Sequence, residues 1–345
     1  MVFKPSILII SNLHDYSTDH VVYQLEKLGV NYLRLNRDNF SEYELTLNPL
    51  DNSIFGKIND LEFEIDETNL NSIYYRAPIY LRTHIRKNLS IEEKISRDQW
   101  TSFLRSLMIF ENILWLNHPQ STFLAENKPY QLKIANQIGF NVPKTIISNK
   151  LPTKKFSDKI AIKTLEPAIF DMEDKQTFIY TNIYNYEELL NYDFSLAPMI
   201  IQEAIVPKID IRVTVINNHV YPVSIKRGNQ GIDVDWRTNK EELTYELIEL
   251  PKDIENKCLK LIKELNLNFG CIDLVKNNDN YYFIEINPTG EWDWLMYHLK
   301  LDIDVKLANF LVDWLGIYMF DKFKKYFFPS IELNDANNIL FCIVF

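Results

Sequence analysis

Glycine is scarce in this chain, with 8 in 345 residues. That scarcity limits phosphate loops built on glycine, and no GxxxxGKS/T, GxGxxG or GxSxG pattern occurs. Cysteine is sparser still. Cys258, Cys271 and Cys342 are odd in number and lack metal-type spacing, so they read most simply as thiols of a reduced, cytoplasmic protein. The histidines, His14, His20, His84, His118, His219 and His298, show no ligand spacing either. No stretch reaches ~18 unbroken apolar residues, and the N-terminus lacks a basic segment followed by an apolar core and cleavage site, so neither a membrane span nor a signal is expected. Positive charge is in deficit. A net charge of −10 and a pI near 5.2 argue against a general nucleic-acid binder, which needs basic surface to displace counterions.

What is present is ordinary globular material, 46% hydrophobic and 24% charged, long enough for two or three packed units. The run 6–10, a helical pattern stopped by Gly29 and an alternating run 30–35 form a β-α-β opening, which predicts a parallel sheet. Residues 43–65 read as short antiparallel strands and 72–78 as a strand entering a loop. Trp100, Phe103, Leu104, Leu107 and Met108 predict one amphipathic helix over 91–114. Past a boundary near Asn117-His118-Pro119, a helix is expected over 122–138, closed by Gly139, and a strand over 142–147. Strands at 159–163, 178–181 and 199–203 surround a short helix at 186–190. Further strands run to about 225. A polar connector, a helix over 254–265, a hairpin and a mostly helical stretch from 292 to 318 follow.

The hairpin carries the strongest chemical signal. Asp273 lies in Gly270-Cys271-Ile272-Asp273-Leu274-Val275, and Glu285 and Asn287 lie in Phe283-Ile284-Glu285-Ile286-Asn287-Pro288, with a polar Asn/Asp turn between. Glu285 and Asn287 share a side by strand alternation, and pairing brings Asp273 to the same face. Two carboxylates and an amide oxygen suit Mg²⁺, which completes its octahedron with phosphates and water. A solvated hairpin edge is the competing reading, but it gives no reason for an acid inside each apolar run. Lys163 ends a strand and Lys128 lies early in a helix; each fits a solvated lysine or a phosphate contact. Gln202-Glu203-Ala204-Ile205 fits a core strand, or a purine site with an acidic side chain near the sugar. Asp210 and Arg212 share a strand face and fit either a surface ion pair or a guanidinium fork for a phosphoryl group. Arg237 and Asn239, within Asp235-Trp236-Arg237-Thr238-Asn239, fit a solvated loop or a cluster for phosphate or carboxylate oxygens. Tyr74-Tyr75-Arg76 fits a substrate cleft or a packed strand end.

Taken in order, Lys128, Lys163, Gln202-Glu203-Ala204-Ile205, Asp210-Ile211-Arg212, Asp235–Asn239, Asp273, Glu285 and Asn287 resemble the ATP-grasp superfamily of carboxylate ligases over about residues 120–318. Ser72–Pro78, Asp210–Val215, Asp235-Trp236-Arg237 and Asn287–Trp292 resemble its peptide-modifying branch, the graspetide (microviridin-type) macrocyclases. The resemblance implies an α/β (α+β) ATP-grasp fold with an N-terminal pre-ATP-grasp domain over 1–118, a central domain over 119–200, a C-terminal ATP-grasp domain over 201–325 and a tail over 326–345. It implies ATP and Mg²⁺ as cofactors, and a ribosomal precursor peptide, leader plus core, as partner. The implied reaction activates Asp or Glu side chains of the peptide as acyl phosphates and closes macrocyclic esters or amides with Thr, Ser or Lys. In the implied roles Lys128 and Lys163 contact phosphates, Gln202, Glu203 and Ile205 hold adenine, and Asp210 holds the ribose. Arg212 stabilises the phosphoryl group, Arg237 and Asn239 contact phosphate or substrate carboxylate, and Asp273, Glu285 and Asn287 hold the metal. The leader is expected near 170–183 and the helix after it. One departure stands out: 164–177, where many ATP-grasp enzymes place a glycine-rich lid, has no glycine. Addition of an amino acid to a small molecule or a protein C-terminus is the alternative ligase reaction. The apolar run 338–345 suits an edge strand or a homodimer contact.

Overall fold

The computed structural model describes residues 2–76, 89–166, 169–172, 175–178, 181–228, 231 and 243–313. The chain opens with β1 (Ile7–Ser11), α1 (Tyr16–Lys27) and β2 (Tyr32–Asn36), followed by β3 (Tyr43–Asn48), β4 (Ser53–Ile58), β5 (Leu61–Asp66) and β6 (Ser72–Tyr75). Then come α2 (Ile91–Ser106) and β7 (Leu114–Leu116). All five residues of β1 are buried, as expected of the central strand in a parallel sheet ordered β2-β1-β6-β7. Strands β3, β4 and β5 form the expected antiparallel meander.

Two predicted elements are corrected here. The helix expected over 91–114 stops at Ser106, passes through a 3-10 turn at Leu107–Ile109, and gives way to β7. A short apolar run such as Leu114-Trp115-Leu116 has no periodicity that separates strand from helix end. The helix expected over 122–138 is two, α3 (Pro119–Ala125) and α4 (Lys128–Ile138). The Asn127 side chain accepts the Tyr130 N–H and starts a new helix, with Pro129 in its first turn where no N–H is needed. Gly139, in the left-handed region at φ 99°, ends it as expected.

Next come β8 (Thr145–Ser148), β9 (Lys159–Lys163), β10 (Ile169–Met172), β11 (Lys175–Phe178), β12 (Asn182–Asn185), α5 (Tyr186–Leu189) and β13 (Met199–Glu203). Four of these strands make an antiparallel sheet in the order β12-β9-β13-β8, and β10 and β11 pair as a separate hairpin. The last group is β14 (Ile209–Ile216), β15 (His219–Arg227), β16 (Leu243–Leu247), α6 (Lys252–Glu264), β17 (Phe269–Asn277), β18 (Asn280–Asn287) and α7 (Asp293–Leu299), then helix over 303–313. The five strands pair antiparallel in the order β16-β15-β14-β17-β18. β16 lies inside what the sequence suggested was a polar connector.

Alternation divides that sheet. Ile211, Val213, Val215, Ile272, Leu274 and Ile286 pack with Ile254, Cys258, Leu261 and Ile262 of α6, which recur at helical spacing. Arg212, Thr214, Asp273 and Glu285 occupy the other side, at even positions of β14 and odd positions of β17 and β18. A second core joins the N-terminal sheet to the C-terminal elements: Ile7, Ile9 and Tyr74 pack with Trp292, Leu295, Ile303 and Leu307. Among the described residues no helix is long and apolar enough to cross a membrane.

Candidate active site

The register of three neighbouring strands builds the centre of the site. Arg212 on β14 lies opposite Asp273 on β17, and Asp273 lies opposite Glu285 on β18. Directly opposed residues share a face with Cβ atoms about 5 Å apart, so the row presents a cation beside two carboxylates. Thr214, Cys271 and Asn287 form the next row on that face. The register shifts after Asp273, leaving Ile284 as an extra residue in β18, a bulge beside the acidic pair. Arg212 Nη1 donates to Asp273 Oδ1 and Oδ2 at 2.9 and 3.1 Å, and Nη2 lies 3.3 Å from the Glu291 carbonyl. Burial works against the Arg212 charge, but Asp273, Cys271 and Glu285 together hold the guanidinium above its ordinary pKa. Asn287 Oδ1 accepts from the Thr289 N–H at 3.1 Å and lies 3.3 Å from the Thr289 hydroxyl.

Lys128, the first residue of α4, reaches between two sheets. Its Nζ donates to the Thr164 carbonyl at 3.0 Å and lies 4.0 Å from Glu285 Oε2. Lys163, at the end of β9, donates to Gln202 Oε1 on β13 at 2.8 Å, and Gln202 Nε2 donates to the Thr145 hydroxyl. Lys128 therefore links the acidic row to the segment just after β9, while Lys163 is held against β13 of the four-stranded sheet. Glu203 ends β13 with its N–H bonded to the Lys144 carbonyl, and Ile205 follows half-buried in the connection to β14. Asp210 shares the face of Arg212 and is held by Lys208 Nζ at 2.5–2.6 Å. Arg237 and Asn239 lie outside the described residues, as do Asp235, Trp236 and the tail. The expected leader-docking region, 170–183 and the helix after it, falls on β10, β11, the start of β12 and α5, with 173–174 and 179–180 outside the described residues.

Arg76, directly after β6, joins this site. Its side chain is buried, with Nε 3.3 Å from Asp15 Oδ2 and Nη2 2.9 Å from Glu291 Oε2, and Nη1 donates to the Thr289 carbonyl. Burial opposes its charge, and Tyr74, Glu291 and Asp15 raise its pKa regardless. Asp15 caps α1, accepting the Thr18 N–H, and takes further bonds from Ser11 and Thr18. The segment Asn287–Glu291 thus receives guanidiniums from both the N-terminal and the C-terminal sheets. Gly290 is required where they converge: a Cβ there would lie 2.8 Å from Cys271 Sγ and 2.9 Å from Arg212 Nη2.

The donor set fits a hard divalent cation. Among the described residues no three His, Cys, Asp or Glu side chains gather, so Asp273 and Glu285 need the Asn287 oxygen as a third donor. Two carboxylates with an amide suit Mg²⁺, which leaves positions to phosphate and water. Arg212 Nε is buried and lacks a hydrogen-bond partner, an orphaned donor beside the same row.

The RimK-like ATP-grasp domain matches residues 125–311, more than half of the chain. The chain belongs to the RimK-like ATP-grasp family. Its RimK-like region spans α4, both central sheets and most of the helix at 303–313, and the protein is an ATP-grasp ligase. Macrocyclase MdnC from Microcystis aeruginosa MRC, solved with precursor peptide MdnA, is 25% identical at a TM-score of 0.76, covering 89% of this chain and 99% of that one. A Chryseobacterium gregarium RiPP-associated ATP-grasp ligase, solved with ADP and a leader and core peptide, is also 25% identical at 0.76, covering 90% and 97%. D-alanine–D-alanine ligase from Bacillus anthracis, 11% identical at 0.54 over 92% and 99%, shares the fold alone. No curated protein sequence matches.

Proposed function

We propose that this ATP-grasp ligase is a graspetide-type macrocyclase. It uses ATP and Mg²⁺ to activate Asp or Glu side chains of a ribosomal precursor peptide and joins them to Thr or Ser hydroxyls, or Lys amines, of the same peptide. The observation that carries this reading is likeness over 89–90% of this chain to a macrocyclase and a RiPP-associated ATP-grasp ligase, each solved with its peptide, a span longer than the RimK-like region.

In this reading Gln202, Glu203 and Ile205 hold adenine, Asp210 the ribose, and Lys128 and Lys163 the phosphates. Asp273, Glu285 and Asn287 hold Mg²⁺, which when bound supplies charge neutralisation at the phosphate oxygens. The peptide carboxylate attacks the γ-phosphorus, giving an acyl phosphate and ADP. The hydroxyl or amine then attacks the acyl carbon, phosphate leaves, and the nucleophile's proton passes to solvent. Arg212 offsets charge on the transferring group, while Arg237 and Asn239 orient phosphate or carboxylate; catalysis here is chiefly positioning and charge. The reading keeps functional boundaries at 118, 200 and 325, leader docking at 170–183 and α5, and a cytoplasmic homodimer, which light scattering of the purified protein checks.

Purified enzyme is incubated with ATP, Mg²⁺ and the precursor peptide encoded beside it, and the product is weighed by mass spectrometry. Loss of one water per ring is expected, with Glu285→Gln yielding unmodified peptide while still binding the leader. A mass gain would instead favour amino-acid addition, and full turnover by Glu285→Gln would sink the metal assignment.

A further inference from the structure

β18 is the outer strand of its sheet, so backbone groups along its far side need partners from elsewhere. Gln131, a buried residue of α4, supplies them at one position. Its Oε1 accepts the Ile286 N–H at 3.0 Å, and its Nε2 donates to the Ile286 carbonyl at 2.8 Å and to the Ala125 carbonyl at 2.6 Å. One amide side chain thereby makes both bonds that a paired strand residue would make. Ile286 is the residue between Glu285 and Asn287.

The other neighbour of Asn287 is held in a similar way. Asn117, also buried, donates from Nδ2 to the Pro288 carbonyl at 3.0 Å and the Phe269 carbonyl at 2.8 Å. Its Oδ1 accepts the N–H groups of Asn268 and Phe269 at 2.7 and 3.0 Å. Lys128 sits one turn before Gln131 on α4, on the same side of the helix, with its Nζ near Glu285. A single helix face therefore delivers one side chain to the Glu285 carboxylate and another to the backbone that carries it.

We propose that Gln131 is a positioning residue for the Glu285–Asn287 pair, standing in for a missing strand so that the two side-chain oxygens keep one spacing for a divalent cation. The proposal rests on reading that pair as the Mg²⁺ site. Without the amide, the outer strand loses two bonds at the residue linking the two donors, and cation binding has to order that segment itself.

The test compares Gln131→Met, similar in length and without polar atoms, with Gln131→Glu, which keeps an acceptor for the Ile286 N–H. Hydrogen exchange reads the Ile286 amide. Calorimetric titration of ADP over a series of Mg²⁺ concentrations reads the site, and precursor-peptide binding serves as a control. Gln131→Met is expected to lose Ile286 protection and to need about 10-fold more Mg²⁺ for half-maximal ADP binding, within the usual range for a residue that supports a metal ligand. Peptide affinity stays at the wild-type value, and Gln131→Glu falls between. Should the Met variant not fold, the Glu variant carries the comparison. Lost protection with wild-type Mg²⁺ dependence overturns the positioning role alone. ADP binding that ignores Mg²⁺ in the wild type overturns both the role and the metal reading beneath it.

Discussion

Arg76 and Arg212 reach the same segment, 287–291, from different sheets, and each is matched by an acid from its own neighbourhood, Asp15 and Asp273. Replacing one partner of a buried pair leaves the other charge uncompensated, at a cost of about 3–5 kcal/mol. Arg76→Met is therefore expected to lower stability by that order, read from denaturant midpoints, because the buried Asp15 carboxylate is left without its cation. Adding Asp15→Asn should restore part of the loss; no restoration would mean the pair is uncoupled. The legibility of these residues differs for a physical reason. Glu285 and Asn287 stood out because strand alternation relates near neighbours, and an acid inside an apolar run is conspicuous. Arg76 ended an apolar run too, but its partners lie far along the chain, at Asp15 and Glu291. Gln131 was invisible, since its partner is the backbone of a strand 155 residues away and no side-chain pattern records it.

At the scale of elements, periodicity located most helices and strands, while capping chemistry decided where they ended. Asn127 split one predicted helix into α3 and α4 and put Lys128 at the start of the second. His118 plays the corresponding role for α3: its Nδ1 accepts the Gln120 N–H, and burial lowers its pKa. A histidine whose folded pKa lies below its unfolded value, about 6.5, contributes stability that is fully present above that value. The contribution is lost as pH falls toward the folded pKa, when the ring takes a proton and no longer accepts. His118→Asn keeps an acceptor that does not titrate. Melting temperatures measured between about pH 5 and 7 should therefore fall less steeply on acidification in this variant than in the wild type. Equal slopes would show that the cap is not a source of the pH dependence.

For the whole molecule, the sequence conveyed the class of fold, because ATP-grasp proteins distribute short signals along the chain. It did not convey how the parts pack. The core shared by Ile7, Tyr74, Trp292 and Leu307 joins the two ends of the described chain. A ligand seated between sheets tied in this way should stabilise them together. With ADP and Mg²⁺ at about 100 times the dissociation constant, ligand linkage adds about 2.7 kcal/mol. A rise of several degrees in melting temperature is expected, abolished by EDTA; a nucleotide effect that survives chelation would count against the metal's part in binding.

The scarcity of glycine has an effect on durability. At left-handed backbone positions the chain often uses asparagine, at Asn52, Asn59, Asn217, Asn266 and Asn278. Asparagine amides are heat-labile, and proteins of extreme thermophiles carry fewer of them. Asn217 turns β14 into β15 and Asn278 turns β17 into β18, so the strands bearing Arg212, Asp273 and Glu285 are folded back on perishable corners. Prolonged warming would age this enzyme first at its hairpin tips, by chemistry at the amides and not by melting of the core.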